Sequence, residues 1–333
     1  IPKGSLYMNP KIYTGTGSSN AITGVGFQPD WTWIKRRNGT NGHNLYDVLR
    51  GVTKTINSAT TAAESTSGSG LTAFGTDGFT VVSDGDVNAS GGTYASWNWL
   101  ANGTGSANTA GSINSTVSAN TTSGFSIVSY TGNGGSTPKT VGHGLGVAPK
   151  MIIIKPTNLT YDWMTYNENV GATKGMCLNT TQAPFTSSNF NDTAPTTSVF
   201  SVKNNATNET NGTYIAYCFA DVQGFSKMGS YTGNANANGP FVYTGFKPSF
   251  VIIKRTNLAN DWLTQDNKRY PINETVAKTL KPNSALAEGD TGNLDILSNG
   301  FKLRSTGTNT NASGGTYIYM AFAENPFVAT SGT

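Results

Sequence analysis

The stretch that decides the fold reads GFKPSFVIIKRT and spans residues 245–256. A Gly-x-x-Pro turn leads into an apolar run that ends at a lysine, which is the pattern of a turn followed by a β-strand. The chain contains this arrangement twice more, as GFQPDWTWIKRR at residues 26–37 and as GVAPKMIIIKPT at residues 146–157. Three lysines therefore fall in register: Lys35, Lys155 and Lys254.

Two further motifs flank each copy in the same order. A Tyr-Thr-Gly opens the repeat ahead of the turn, and a Gly-Thr-Tyr closes it after a spacing of 65, 65 and 69 residues from the turn proline. Several motifs that recur in one order indicate a triplicated domain. The opening motifs begin at Tyr13, Tyr130 and Tyr231, and the closing tyrosines are Tyr94, Tyr214 and Tyr317.

The motifs divide the chain into three modules and one connecting segment. Repeat one covers residues 1–100, repeat two covers 123–223 and repeat three covers 224–333. Residues 101–122 are almost wholly glycine and small polar residues, which predicts a linker or an extended arm. Each module of about 100 residues is long enough to bury a core of its own.

The coarse pattern along the chain is that of β-structure. Residues 214–220 and 317–323 alternate small and large side chains, as strands with two different faces do. Residues 151–154 are apolar on both faces and predict an inner strand. The fold class is therefore all-β, with three tandem β-sandwich modules of jelly-roll or lectin-like type.

The composition narrows the class of protein. Only 12% of the 333 residues are charged and 40 are glycine, whereas ordinary soluble domains carry about 25% charged residues. Such a polar but uncharged chain is typical of extracellular and virion-surface β proteins. The net charge is +4, and the longest basic cluster is residues 35–37, so neither a nucleic-acid partner nor a membrane is expected.

The cysteines and the first residue leave alternatives open. Cys177 and Cys218 both lie in repeat two, where they form either a disulfide or two small buried apolar side chains; the second is favoured because the module pattern does not need them. The chain begins at Ile1 without a signal-peptide pattern, which leaves open whether an upstream segment was cleaved.

Catalytic chemistry finds little support in the sequence. His43 and His143 are the only histidines and both fall in loop patterns, so a Ser-His-Asp arrangement has no repeated basis. No pair of acids recurs across the modules, as glycoside hydrolysis would require. We expect no catalytic residues, no metal and no cofactor, and the three aligned lysines are predicted to be edge or solvent-facing strand charges.

One recurring pattern suggests a ligand site. Asp162-Trp163 and Asp261-Trp262 follow their turn prolines at equal spacing, and Tyr46-Asp47 is the counterpart proposed for repeat one. An exposed tryptophan can stack on a sugar ring, and a carboxylate beside it can accept hydrogen bonds from the sugar hydroxyls. The structural alternative is that the tryptophan fills the core while the aspartate bonds to a loop, and repetition in all copies favours that alternative.

The combined motifs resemble those of a module found in virion proteins of tailed bacteriophages, particularly marine and cyanobacterial ones. The resemblance rests on Tyr-Thr-Gly, Gly-Phe-x-Pro, a strand ending in Ile-Lys-Arg, the Asp-Trp pair, Asn-Gly-Phe and Gly-Gly-Thr-Tyr. Repeat three matches most fully. Repeat one lacks a tryptophan after Asp47, and repeat two has residues 197–200 in place of Asn-Gly-Phe.

The resemblance implies a function and partners. It implies a non-enzymatic virion surface protein that serves as a tail fibre or adhesin-like appendage in host attachment, with other virion proteins and a host surface glycan as partners. Fibre proteins are commonly trimers, so it also implies a homotrimer. A capsid decoration or head-fibre protein is the alternative, and a secreted carbohydrate-binding array is a third.

Overall fold

The computed structural model of the chain describes residues 3–135, 137–269 and 278–326. Antiparallel strands dominate these residues, and the two α-helices among them have a single turn each, so the predicted all-β class is confirmed. No helix in the described ranges is long and apolar enough to span a membrane. The predicted inner strand at residues 151–154 is buried along its whole length.

Repeat one forms one large and one small sheet. A 3-10 turn at Gly4–Leu6 comes first. From edge to edge, the strand order of the large sheet is β1-β9-β3-β4-β5-β6 and that of the small sheet is β2-β8-β7. The elements are β1 (Met8–Thr14), β2 (Asn20–Ile22), β3 (Trp31–Arg36), β4 (Asn44–Asp47), β5 (Lys54–Asn57), β6 (Ser65–Thr66), β7 (Leu71–Gly75), β8 (Gly78–Val81), α1 (Gly85–Asn88) and β9 (Thr93–Trp99).

Repeat two follows the same plan with two additional strands from residues 101–122. Its large sheet has the order β10-β11-β12-β19-β14-β15-β16-β17, and β13 pairs with β18. The elements are β10 (Ser106–Asn108), β11 (Ser115–Asn120), β12 (Phe125–Thr131), β13 (Lys139–Gly142), β14 (Met151–Pro156), β15 (Met164–Asn167), β16 (Lys174–Cys177), β17 (Phe185–Thr186), β18 (Val199–Val202), α2 (Asn205–Asn208) and β19 (Thr213–Phe219).

Repeat three shows the same central order in its described part. Its large sheet is β20-β28-β22-β23, the small sheet is β21-β27-β26, and β24 pairs with β25. The elements are β20 (Ser226–Thr232), β21 (Phe241–Tyr243), β22 (Phe246–Arg255), β23 (Trp262–Asp266), β24 (Lys278–Thr279), β25 (Gly289–Asp290), β26 (Leu294–Leu297), β27 (Gly300–Leu303) and β28 (Thr316–Pro326).

The large sheets of all three repeats share one core. Trp31 of repeat one stacks on Tyr217 of repeat two, with ring centroids 4.3 Å apart. Trp97 packs edge-on against Phe250 of repeat three at 5.6 Å. One continuous cluster of buried apolar side chains takes members from every repeat, so the repeats are packed around a common centre and are not separate beads along the chain.

The prediction of a linker at residues 101–122 does not match the structure, because this segment contains β10 and β11. Strand β11 pairs with β12 along its length, and β12 carries the buried apolar residues Ile127 and Val128. The corresponding edge strands β1 and β20 are paired on one side only. They carry Pro10 with Lys11, and Lys227, which are residues that discourage further strand addition. Small polar residues here make an edge strand, a use that composition alone does not distinguish from a linker.

Candidate functional site

The three lysines in register close a ring of contacts between the repeats. Each is fully buried, and each ammonium donates to a backbone carbonyl of a different repeat. Lys35 of repeat one reaches Ala285 O of repeat three at 3.2 Å. Lys155 of repeat two reaches Thr61 O of repeat one at 3.1 Å, and Lys254 of repeat three reaches Thr181 O of repeat two at 2.9 Å.

These contacts define three interfaces with the same direction of donation. We call them interface A (Lys35 to repeat three), interface B (Lys155 to repeat one) and interface C (Lys254 to repeat two). The donation runs from repeat one to repeat three, from repeat two to repeat one and from repeat three to repeat two, so the three contacts make a closed cycle. This is the head-to-tail type of interface that generates a ring when the rotation closes, here within one chain.

The buried ammonium groups are satisfied by further carbonyls close in sequence. Lys35 also donates to Arg36 O and Gly39 O, and Lys155 donates to Pro156 O and Leu159 O. Burial lowers the pKa of each of the three lysines to about 8. The carbonyl oxygens favour the protonated form, since a neutral amine has only two hydrogens to donate.

The prediction that these lysines face solvent or protect a sheet edge is therefore wrong. Strands β3, β14 and β22 are inner strands with a neighbour on either side. The lysines near their ends contact loop carbonyls of the adjacent repeat. From the neighbouring residues alone, a lysine at the end of an apolar run is expected to be a surface charge. Here the loop carbonyls replace water around the ammonium.

The Asp-Trp pairs lie at the same interfaces. Trp163 is 0% and Trp262 is 1% exposed. The indole Nε1 of Trp163 donates to Asn57 O of repeat one at 3.0 Å, and that of Trp262 donates to Cys177 O of repeat two at 3.0 Å. Both rings fill interfaces B and C and leave no face for a sugar.

The aspartates beside these tryptophans bind loop side chains. Asp162 accepts a hydrogen bond from Asn179 Nδ2 at 2.7 Å, and Asp261 accepts one from Asn283 Nδ2 at 2.8 Å. Lys281 Nζ lies 2.7 Å from Asp261 Oδ2. The arrangement fits the structural alternative, with the tryptophan in the core and the aspartate holding the loop that covers it.

His43 occupies the corresponding position in repeat one. It precedes β4 as Trp163 precedes β15. His43, Trp163 and Trp262 each follow the turn proline of their repeat by 14 positions. His43 Nδ1 accepts a hydrogen bond from Trp33 Nε1 at 2.8 Å. Burial, with Lys35 nearby, lowers the pKa of His43 well below its usual value, so the ring is neutral.

Tyr46 and Asp47 are consequently not the counterparts of the Asp-Trp pairs. Asp47 pairs with Trp31 across the strands, as Asn167 pairs with Met151 and Asp266 with Phe250. No insertion separates repeat one from the others at this point. Tyr46 is 1% exposed and lies in the smaller core of repeat one.

Asp47 belongs to a buried charge network at interface B. It is 0% exposed and accepts hydrogen bonds from Tyr217 Oη of repeat two at 2.8 Å and from Arg50 Nε at 2.6 Å. The same guanidinium lies 3.3 Å from Glu64 Oε2. Burial opposes the charge on Arg50, but Asp47, Tyr217 and Glu64 together outweigh it and raise the arginine pKa.

Interface A repeats this network with different partners. Asp266 accepts hydrogen bonds from Trp97 Nε1 of repeat one at 2.9 Å and from Arg269 Nε at 2.5 Å. Glu288 joins Arg269 at 3.0 Å and Arg37 of repeat one at 2.9 Å. Burial alone would raise the pKa of Asp266, but Arg269 and the hydrogen bonds hold it below the usual value.

Interface C lacks every charged member of the network. Asn167, Val170 and Pro184 stand where the aspartate, arginine and glutamate stand elsewhere, and Met320 replaces the aromatic donor. Met320 is 0% and Asn167 is 1% exposed. Acceptor, cation, second carboxylate and donor are thus replaced together.

The remaining candidates are also used by the fold. Cys177 and Cys218 are buried and free. His143 is buried and bonded to the backbone of Thr196 and Leu145. Within the described ranges, no three His, Cys, Asp or Glu side chains form a group that could hold a metal ion.

Sequence reasoning missed the ring of interfaces although its signals were present. The equal 14-residue spacing identifies His43 as the counterpart of Trp163 and Trp262, and the register of the three lysines marks the interfaces. What the spacing does not show is that these residues contact another repeat.

A family model described as a domain of unknown function, DUF7483, matches residues 3–326 and therefore extends over all three repeats. Among curated proteins, none matches the chain.

Proposed function

The chain belongs to the DUF7483 family, and we propose that it is a non-enzymatic virion surface protein of a tailed bacteriophage, acting as a tail fibre or adhesin-like appendage in host attachment. The motif resemblance and the low content of charged residues support this proposal. It places the protein on the outside of the particle, in contact with other virion proteins.

One observation carries the non-enzymatic part of the proposal. The residue types that usually perform chemistry and that recur between repeats are engaged in holding the repeats together. Lys155 donates to three carbonyls, and Asp47 and Asp266 are neutralised by arginines. His43, which does not recur, is bonded to Trp33 within repeat one. Side chains committed in this way support a rigid scaffold whose surface makes the contacts.

Capsid decoration is the second candidate, and the closed ring favours it specifically. Three similar repeats around a common centre can present similar surfaces to three neighbouring subunits of a shell. A single chain would then occupy a threefold or quasi-threefold position without forming a trimer. This role also needs no catalytic residues.

Immunogold labelling of intact particles with antibody against the chain tests both candidates. Label at the tail or its fibres supports attachment, and label confined to the head contradicts it in favour of decoration. Absence of label from purified particles that still contain the other virion proteins contradicts both.

The homotrimer stays a prediction from the resemblance, and light scattering checks it. A stable species of 35.0 kDa would contradict it and would leave the three repeats of one chain as the whole threefold unit. A species of about three times that mass would support it.

A further inference from the structure

We propose a saccharide-binding surface on the outer face of the small sheet of repeat three, centred on Phe241 and Tyr243. This inference deepens the proposed attachment function and rests on it. It replaces the buried Asp-Trp pairs as the candidate contact with a glycan.

Phe241 and Tyr243 lie two residues apart on β21 and point to the same exposed side of the sheet. Phe241 is 46% and Tyr243 is 59% exposed, while Val242 between them is 6% exposed and faces the core. Side chains at i and i+2 on a strand share one face about 7 Å apart. They therefore form a pair of exposed aromatic platforms on one face of the sheet.

The aromatic pair is confined to repeat three. The buried residue between the two positions is Ile22 in repeat one and Val141 in repeat two, because each pairs with the phenylalanine equivalent to Phe301. The flanking positions are Ala21 and Thr23 in repeat one and Thr140 and Gly142 in repeat two. The scaffold therefore does not require aromatic residues there, which separates this pair from the core tryptophans.

A cleft that contains polar side chains adjoins Tyr243. It has a volume of about 350 Å³ and lies where the connection between repeats two and three passes β21. Its lining residues include Asp221, Gln223 and Lys227. On the other side, Lys302 stands directly opposite Phe241 across the strands.

This combination matches a sugar more closely than a protein partner. A pyranose has one apolar face that stacks on an aromatic ring and a rim of hydroxyls that needs both donors and acceptors. The cleft supplies an acceptor in Asp221, a donor in Lys227 and both in Gln223. An exposed surface of two rings is small for a protein interface, which typically buries about 800 Å² on each partner.

The test uses the full chain on an array of bacterial surface oligosaccharides, including O-antigen and capsule repeats. The informative variant is Phe241→Ala with Tyr243→Thr, which gives repeat three the residues that repeat one already has. Asp221→Asn is the second variant, and Leu258→Ala, which removes another exposed apolar side chain (51%), is the matched control. Unchanged unfolding midpoints show that the variants fold.

We expect binding to at least one saccharide, weakened about tenfold or more by the double variant and unchanged by Leu258→Ala. Equal binding by the double variant, or no binding by the wild-type chain, would overturn the proposed surface. Binding of the same proteins to host cells separates the two proposals. If the double variant still binds host cells, the attachment function stands and this site is refuted. If immunogold labels the head alone, the attachment function is refuted whatever the array shows.

Discussion

Interfaces B and C join the same parts of equivalent repeats, yet one buries a charge network and the other buries none. At interface B, Asp47, Arg50 and Tyr217 are linked by hydrogen bonds. At interface C the same positions hold Asn167, Val170 and Met320. Both interfaces retain the lysine that donates to the next repeat, so the ring depends on the lysines and the core, and the network is an interchangeable addition.

The difference follows the energetics of buried ions. A buried ion pair replaced as a whole by apolar groups often costs little, whereas loss of one partner leaves an uncompensated charge. Substitutions at such positions are expected to couple strongly. The joint replacement of all four network positions at interface C is a natural example of the combined substitution that these energetics permit.

The largest effect is expected when interface B is given only one residue of interface C. Arg50→Val leaves Asp47 buried and unpaired, so it should lower the free energy of unfolding by about 3–5 kcal/mol. Urea unfolding followed by tryptophan fluorescence measures it. Arg304→Val is the control, because Arg304 pairs with Asp295 at the surface and should cost less than about 1 kcal/mol. Equal losses in the two variants would contradict the role given to Arg50.

Removal of a ring lysine should have the next largest effect, and it should be similar at the charged and the neutral interface. Lys155→Met and Lys254→Met each leave carbonyl oxygens of two repeats without a donor, which should cost about 2–3 kcal/mol. Chemical denaturation gives both values. Lys174→Met removes a lysine whose only described partner is Thr186 Oγ1 at an exposed site and should stay within about 1 kcal/mol. A large loss at one interface and none at the other would separate the lysines from ring closure.

The set substitution should cost less than Arg50→Val alone. Asp47→Asn, Arg50→Val and Tyr217→Met together give interface B the residues of interface C at these three positions, and we expect a loss below about 2 kcal/mol. Glu64 can stay because it is partly exposed and lies 3.5 Å from Lys54. The same urea experiment compares the triple with the single variant. A triple variant less stable than Arg50→Val would show that the network is not interchangeable.

The smallest effect is a pH dependence carried by the lysines. Burial lowers the pKa of Lys155 to about 8 from its unfolded value of 10.5, so above pH 8 the unfolded chain binds more protons than the folded chain. Stability contributed through this group therefore rises with pH. The free energy of unfolding of the wild type relative to Lys155→Met should increase by roughly 1–2 kcal/mol between pH 8 and 9.5. Because both proteins contain the same buried cysteines and tyrosines, the titration of those groups cancels in this difference. A decrease in the difference between pH 8 and 9.5 would contradict the lowered pKa of Lys155.

The sequence pattern predicts the local structure well because turns and buried strands depend on neighbouring residues. The Gly-x-x-Pro turn and residues 151–154 are examples, since β14 begins at Met151 and is buried throughout. The interfaces could not be predicted in this way. Lys155 meets Thr61 across 94 positions of sequence, and nothing beside Lys155 indicates that a loop will cover it.

The candidate sites show the same division. The Asp-Trp spacing correctly marks equivalent positions, but it does not distinguish an exposed ring from one that fills an interface. Phe241 and Tyr243 gave no repeated signal because they occur in one copy only. Residues shared by the copies hold the ring together, and residues that differ are the place to seek a ligand.

Small-angle X-ray scattering on the monomeric chain, collected directly after size exclusion, tests most directly whether the three repeats close into one body. A compact chain of 333 residues should have a radius of gyration of about 20 Å. Three separate modules in a row, each about 13 Å in radius of gyration, would give about 28 Å. A value near 20 Å is the predicted result, and a value near 28 Å would contradict the closed ring.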